Sequence, residues 1–295
     1  VTGDFQYIKH HPDDPHSLSS NNVHALEEDV DGNIWIGTFI GGLNKYDSGT
    51  GRIETIDLFP LDSSIIQAVF SVFIDSKDRI WSGGIGGLFL KEAQGDRFNL
   101  FKPEFFRNNF IYHIAEDHEG NIWICTYNEG IYKCSTDLQI TNYQTESNLD
   151  ILSNRIVFFL PDSRNILWFG AVGGGLIRYD PIKQHFKSYS VKDGLPNNTV
   201  YAIVEDKQGL LWLSTNKGIS VLDPQTEEIH NFTINDGLIG NQYNFKSGLL
   251  SSNGRIYFGA VNGMTYFNPK ELENINLPPV IHFTDFKVSN TSVDI

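Results

Sequence analysis

An aromatic residue recurs along this chain with a period in the forties. Trp35, Trp81, Trp123, Trp168 and Trp212 are followed by Tyr257 in the same setting, at spacings of 46, 42, 45, 44 and 45 residues. Repeats of that period build either arrays of helical hairpins or the blades of a propeller, so the content of each unit decides between them. The first unit reads VHALEED, IWIGT, LNKYD and RIETIDL, separated by VDGN, FIGG and a polar loop. The fifth repeats the layout as TVYAIVED, LLWLST, ISVLD and IHNFTI. Segments this short suit strands and fall short of most helices. The 21 Phe, 12 Tyr and 27 Gly, against a single Met, point the same way, toward short strands joined by tight turns.

The turn before each Trp strand gives the sharpest physical test. Six residues ahead of the aromatic stands Asp29, Asp75, Asp117, Asp162, Asp206 or, in the last unit, Ser251. Three residues ahead stands Gly32, Asp78, Gly120, Asn165, Gly209 or Gly254. These residue types tolerate positive φ, which a tight antiparallel connection needs, and an Asp or Ser at its start can accept local backbone N–H bonds. A second glycine follows the Trp strand. Gly42, Gly130 and Gly175 lie one residue later in their units than Gly87, Gly218 and Gly263, so this hairpin comes in two lengths. IWIGT and LLWLST are apolar on both faces, which requires cover on both sides. Blades packed face to face around an axis supply it.

The expected fold is therefore all-β, a β-propeller of six four-stranded modules. The sixth unit offers strands around Tyr243 to Leu250, Arg255 to Ala260 and Met264 to Asn268, with no aromatic fourth strand. DFQYIKH at 4–10 looks like QHFKSYS at 184–190, so the N-terminal strand is expected to complete the last blade. The ring is then six-bladed, or part of a seven-bladed one.

Charge and motifs exclude several classes of function. The formal net charge is −14 and the 22 Lys and Arg form no basic run, so a nucleic-acid footprint is missing. No apolar stretch approaches the ~18 residues of a membrane helix, and the longest, Ile156 to Leu160, reads as a buried strand. Val1 is followed by no basic, apolar leader, so the chain is read as a fragment of something larger. DVDGN at 29–33 begins like a calcium loop, but apolar strand follows at Ile34 where further oxygen ligands would be needed. Neither HExxH nor a zinc-spaced Cys-His cluster occurs, nor GxSxG nor a P-loop. Glu27 and Glu28 read as a solvated strand end. Cys125 and Cys134 fall on a diagonal of neighbouring strands, too far apart for a disulfide, and read as two buried small hydrophobes. No metal, cofactor or catalytic site is expected.

The repeat has a family likeness. DGNIWIGT at 31–38 with GGLNKYD at 41–47, EGNIWICT at 119–126 and NILWFGAVGGGLIRYD at 165–180 resemble the two-component regulator propeller repeat. PPVIHFTDFKVSN at 278–290 resembles the first strand of the immunoglobulin-like domain that follows such propellers. The likeness implies a propeller over 1–272, then a linker and the start of a truncated immunoglobulin-like domain over 273–295. It further implies the periplasmic sensor region of a hybrid two-component system, detecting glycan breakdown products and signalling across a membrane to a histidine kinase. The implied partners are an oligosaccharide or other small polar ligand, the remaining domains of the same receptor, and a second copy in a homodimer.

A polar ligand is expected at the face of the disc where the connections into the first strands and the turns after the Trp strands converge. Tyr112, Tyr127, Asn128, Glu129, Arg155, Asn198, Tyr201, Asn216, Gln242 and Tyr243 lie there. Aromatic faces can stack on sugar rings while Asn, Gln, Glu and Arg bond hydroxyls. Two rival readings stand beside this sensor. One is a dimerisation scaffold without its own ligand. The other is a glycan-cleaving propeller enzyme, which would need facing acids or a Tyr–His pair at the centre.

Overall fold

The computed structural model describes residues 7–58, 68–107, 109–147, 149–272, 287–288 and 291–292. Each repeat folds into one antiparallel sheet whose strands neighbour one another in chain order. Six such sheets are arranged as a six-bladed β-propeller; five have four strands and the last, Tyr243–Leu250, Ile256–Ala260 and Gly263–Phe267, has three. Two four-residue segments, Pro103–Phe106 and Pro269–Leu272, are its only α-helices among the described residues. Of the proposed N-terminal closing strand, residues 4–6 lie outside the described residues and 7–10 are not in a strand. Most of 278–290 also lies outside them.

The turn before each Trp strand adopts the conformation its residues suggest. Gly32, Asp78, Gly120, Asn165, Gly209 and Gly254 all have positive φ, between 57° and 84°. The Asp that opens the turn does more than accept backbone N–H groups. In five blades its Oδ2 also accepts the indole N–H of the Trp six residues on, at 3.0 Å for Asp29–Trp35, 2.8 Å for Asp75–Trp81, 2.7 Å for Asp117–Trp123, 3.0 Å for Asp162–Trp168 and 2.8 Å for Asp206–Trp212. A bulky indole can thus lie between sheets with its one polar atom satisfied. These oxygens, occupied by donors, leave the DVDGN turn as a structural lock.

The first strand of each blade is innermost and packs against the first strand of the next. Glutamates reinforce two of these joints. Glu116 accepts the backbone N–H and hydroxyl of Ser76 at 2.8 and 2.7 Å, and Glu205 does the same for Ser163 at 2.8 and 2.6 Å. Between the sixth and first blades the sheets instead stand apart around a cleft of about 830 Å³, lined by Val23, His24 and Leu26 on one side and Lys246, Leu249 and Met264 on the other. Cys125 pairs across the hairpin with Ile131, and Cys134 with Ile122, so the thiols are not opposite one another. Both are free and buried.

Candidate functional site

All six innermost strands share a defect. Their register against the second strand slips near the start, leaving His24, Phe70, Tyr112, Val157 and Tyr201 as bulged residues. In the sixth blade the slip is two residues longer and takes in 244–247, between Tyr243 and Gly248. Bulges re-aim side chains, and here they aim them at the ring axis. Rings from five blades meet there: His24 with Phe70 at 5.2 Å, Phe70 with Tyr112 at 4.9 Å, Tyr112 with Phe245 at 5.8 Å and Phe245 with Tyr201 at 4.5 Å. The turns after the Trp strands add Phe39, 6.2 Å from Phe70, and Tyr127, stacked 5.1 Å from Tyr112. The Arg155 guanidinium lies 5.5 Å over the Tyr127 ring, a cation–π arrangement.

Lys246 enters the axis beside Phe245. Its residue holds a left-handed backbone, φ 56°, a conformation that costs free energy for any side chain with a Cβ. Its Nζ donates to the Phe70 carbonyl on the far side of the ring. Burial pushes its pKa down to about 7. Below the aromatic layer, His113 stacks 4.7 Å from Phe158, and its Nδ1 accepts the Phe159 backbone N–H at 3.1 Å, which fixes the neutral tautomer with the proton on Nε2. Burial, with Lys246 adding a smaller push, lowers this imidazole to about 3. Burial raises the Tyr112 and Tyr201 hydroxyls, so both stay neutral near pH 7.

The Lys246 shift sets a pH dependence. Between about 7 and 10.5 the unfolded chain binds more protons than the folded one, so stability rises with pH. Urea unfolding is expected to show a slope of up to about 1 kcal/mol per pH unit between pH 7 and 9, flattened by Lys246→Met. A slope unchanged in that variant would place its source elsewhere.

Of the ten residues singled out by sequence, the structure brings Tyr112, Tyr127, Arg155 and Tyr201 together. No ring or cation–π contact among the described residues joins the other six to that cluster, although Asn128 and Glu129 directly follow Tyr127. Tyr243 is buried, its hydroxyl 2.8 Å from Thr265 Oγ1 and its ring edge-on to Phe258. Asn198 staples its own loop, its Oδ1 accepting the Val191 N–H and its carbonyl the Gly175 N–H, both at 2.8 Å. The Glu129 carbonyl and carboxylate accept from Gln144. Gln242 accepts the Val261 N–H through its carbonyl, while Asn128 and Asn216 are exposed turn residues. Sequence reasoning missed His24, Phe70, Phe245 and Lys246. A signal was present: the residue eleven before the aromatic is His24, Phe70, Tyr112, Val157, Tyr201 and Lys246 in turn.

Comparison with known proteins decides the kinship of this scaffold. The profile described as "Two component regulator propeller" matches residues 17–39, 106–128 and 194–217, each spanning or abutting an inner strand. Three segments of the chain thus match the two-component regulator propeller repeat. It is 28% identical over 289 residues, 93% of its length, to histidine kinase P4 of Formosa agariphila, and spans 17% of that protein. It superposes with a TM-score of 0.81 and 26% identity on an extracellular domain from B. thetaiotaomicron assigned to a hybrid two-component system, covering 95% of this chain and 39% of that one. Virginiamycin B lyase from Staphylococcus aureus shares the fold at a TM-score of 0.63 and 15% identity, covering 84% of each chain. Proteins similar to this propeller thus include a histidine kinase and an extracellular domain assigned to a hybrid two-component system, while the architecture itself also serves enzymes. No helix among the described residues is long and apolar enough to cross a membrane.

Proposed function

We propose that this propeller is the periplasmic ligand-sensing part of a hybrid two-component receptor and that it takes an oligosaccharide at the aromatic mouth of its axis. One observation carries the reading: rings from five blades converge at one end of the axis with a guanidinium stacked at their rim. Stacked, uncharged rings offer flat apolar faces to sugar C–H groups, and the Tyr hydroxyls and Arg155 offer polar partners. Binding at the axis touches several blades at once, so a ligand can alter how they sit and pass that change to the receptor's remaining domains. The likeness to a histidine kinase and to an extracellular domain assigned to a hybrid two-component system supports this reading over a purely structural one.

The test is titration calorimetry against a panel of defined oligosaccharides, with product analysis of each mixture. Saturable binding without product is the expected result. Tyr112→Ala and Tyr201→Ala are each expected to weaken it about tenfold, or ~1.4 kcal/mol. Turnover of any member would move the reading to an enzyme. Binding untouched by both variants would move the site away from the mouth.

A further inference from the structure

Five of the six bulges send uncharged side chains to the axis, His24 among them, since burial and Lys246 both lower its pKa. The sixth sends Lys246. An ammonium carries three donors, and the hydrogen bond recorded for this one, among the described residues, goes to the Phe70 carbonyl. Among the described residues, the ionisable groups coupled to it are the neutral His24 and His113 imidazoles and the Cys125 thiol, and none of them is a carboxylate. At the rim, Arg155 rests on Tyr127. The ion pairs of the described residues, Arg79–Asp75, Arg164–Asp162, Lys183–Asp180 and Lys187–Glu227, include neither cation.

This arrangement runs against the composition. The chain has 36 Asp and Glu against 22 Lys and Arg, yet no carboxylate pairs with either cation of the mouth among the described residues. Removing a cation from water without a counter-charge costs several kcal/mol. The cation is also held by a lengthened bulge in a left-handed backbone. Lys246 also borders the open cleft of about 830 Å³.

We infer that the oligosaccharide taken at the mouth is anionic, bearing a uronate carboxylate or a sulfate ester that pairs with Lys246, with Arg155 holding a second polar group at the rim. This inference rests on the oligosaccharide reading above. A charge-assisted bond to a carboxylate or sulfate supplies the counter-charge that the protein withholds, and the aromatic layer supplies the stacking surface.

The experiment is calorimetry of the chain with oligosaccharides in matched pairs that differ only in charge: oligogalacturonates and oligoglucuronates against their methyl esters, and sulfated galactan oligosaccharides against their desulfated forms. A charged member is expected to bind at least tenfold tighter than its neutral twin. Whether the uronate or the sulfated pairs show the difference identifies the anion. Lys246→Met should bring the charged member to the affinity of its twin, and Lys246→Arg should restore part of the difference. Circular dichroism and Tm establish that both variants fold; if Lys246→Met does not, the matched pairs and Lys246→Arg decide. A neutral twin binding as tightly as its charged partner overturns the anionic assignment and leaves the oligosaccharide reading standing. No binding by any member removes both.

Discussion

Asp162→Ala is expected to destabilise the propeller by about 3 kcal/mol or more, a fall in Tm of roughly 8 °C for a domain of this size. The carboxylate is fully buried and serves four donors. It accepts the backbone N–H groups of Arg164 and Ile166, both at 2.9 Å, the Trp168 indole N–H at 3.0 Å and the Arg164 guanidinium at 3.0 Å. Truncation orphans the buried Trp168 indole N–H and the part-buried N–H groups of Arg164 and Ile166, each of which costs about 1–3 kcal/mol when left buried without a partner, while the Arg164 guanidinium keeps the Gly209 carbonyl. Trp168→Phe should cost less, because the carboxylate keeps its backbone partners and the aromatic volume is nearly kept. Asp31→Ala, in an exposed turn position, should change little. Urea unfolding of the three variants checks the order. A loss below about 1 kcal/mol for Asp162→Ala would mean that water satisfies the orphaned groups, and the Asp–Trp bond would then be incidental to blade stability.

That bond also marks where reading the sequence succeeds and where it stops. The six-residue spacing and the positive φ of Asp78 and Asn165 are local matters, governed by turn sterics that the residue types report directly. So are the two hairpin lengths, where Gly42, Gly130 and Gly175 have φ near 73° while Gly87, Gly218 and Gly263 lie between 101° and 140°. The indole partner of each Asp is equally local, but it depends on the Trp lying flat between sheets, which spacing alone does not state. The mouth was half legible. Tyr112, Tyr127, Arg155 and Tyr201 come from loops and strand starts that any propeller gathers on one face. Tyr243 has the same residue type and local setting, yet it precedes the long bulge at the place Val200 holds in the fifth blade, and both are buried. The two extra residues of that bulge sit inside an unbroken strand pattern, YNFKSGLL, so the strand pattern does not separate Phe245 from ordinary strand residues, and Lys246 is marked only by its place eleven residues before Tyr257.

Leu176→Ala and Met264→Ala are expected to differ by several kcal/mol although the repeat places both side chains at the same point. Directly after the turn glycine, Leu43, Leu88, Ile131, Leu176 and Ile219 are 0–1% exposed, whereas Met264 is 52% exposed. The opposite wall of the cleft shows the same contrast. Leu26 is 64% exposed, while its equivalents Val72, Ile114, Phe159 and Ile203 are 2–6% exposed. Truncating a fully packed leucine removes transfer free energy and leaves a cavity, about 2–5 kcal/mol together. Truncating an exposed methionine removes little of either, so Met264→Ala should stay within about 0.5 kcal/mol of the parent. An apolar side chain stands in both places because the repeat dictates it; the energy differs because only a neighbouring blade turns an apolar side chain into core. Urea midpoints of the two variants measure the contrast directly. Equal losses would show that the faces bordering the cleft are covered in solution, and a Met264→Ala loss that grows with protein concentration would identify the cover as a second copy of the chain.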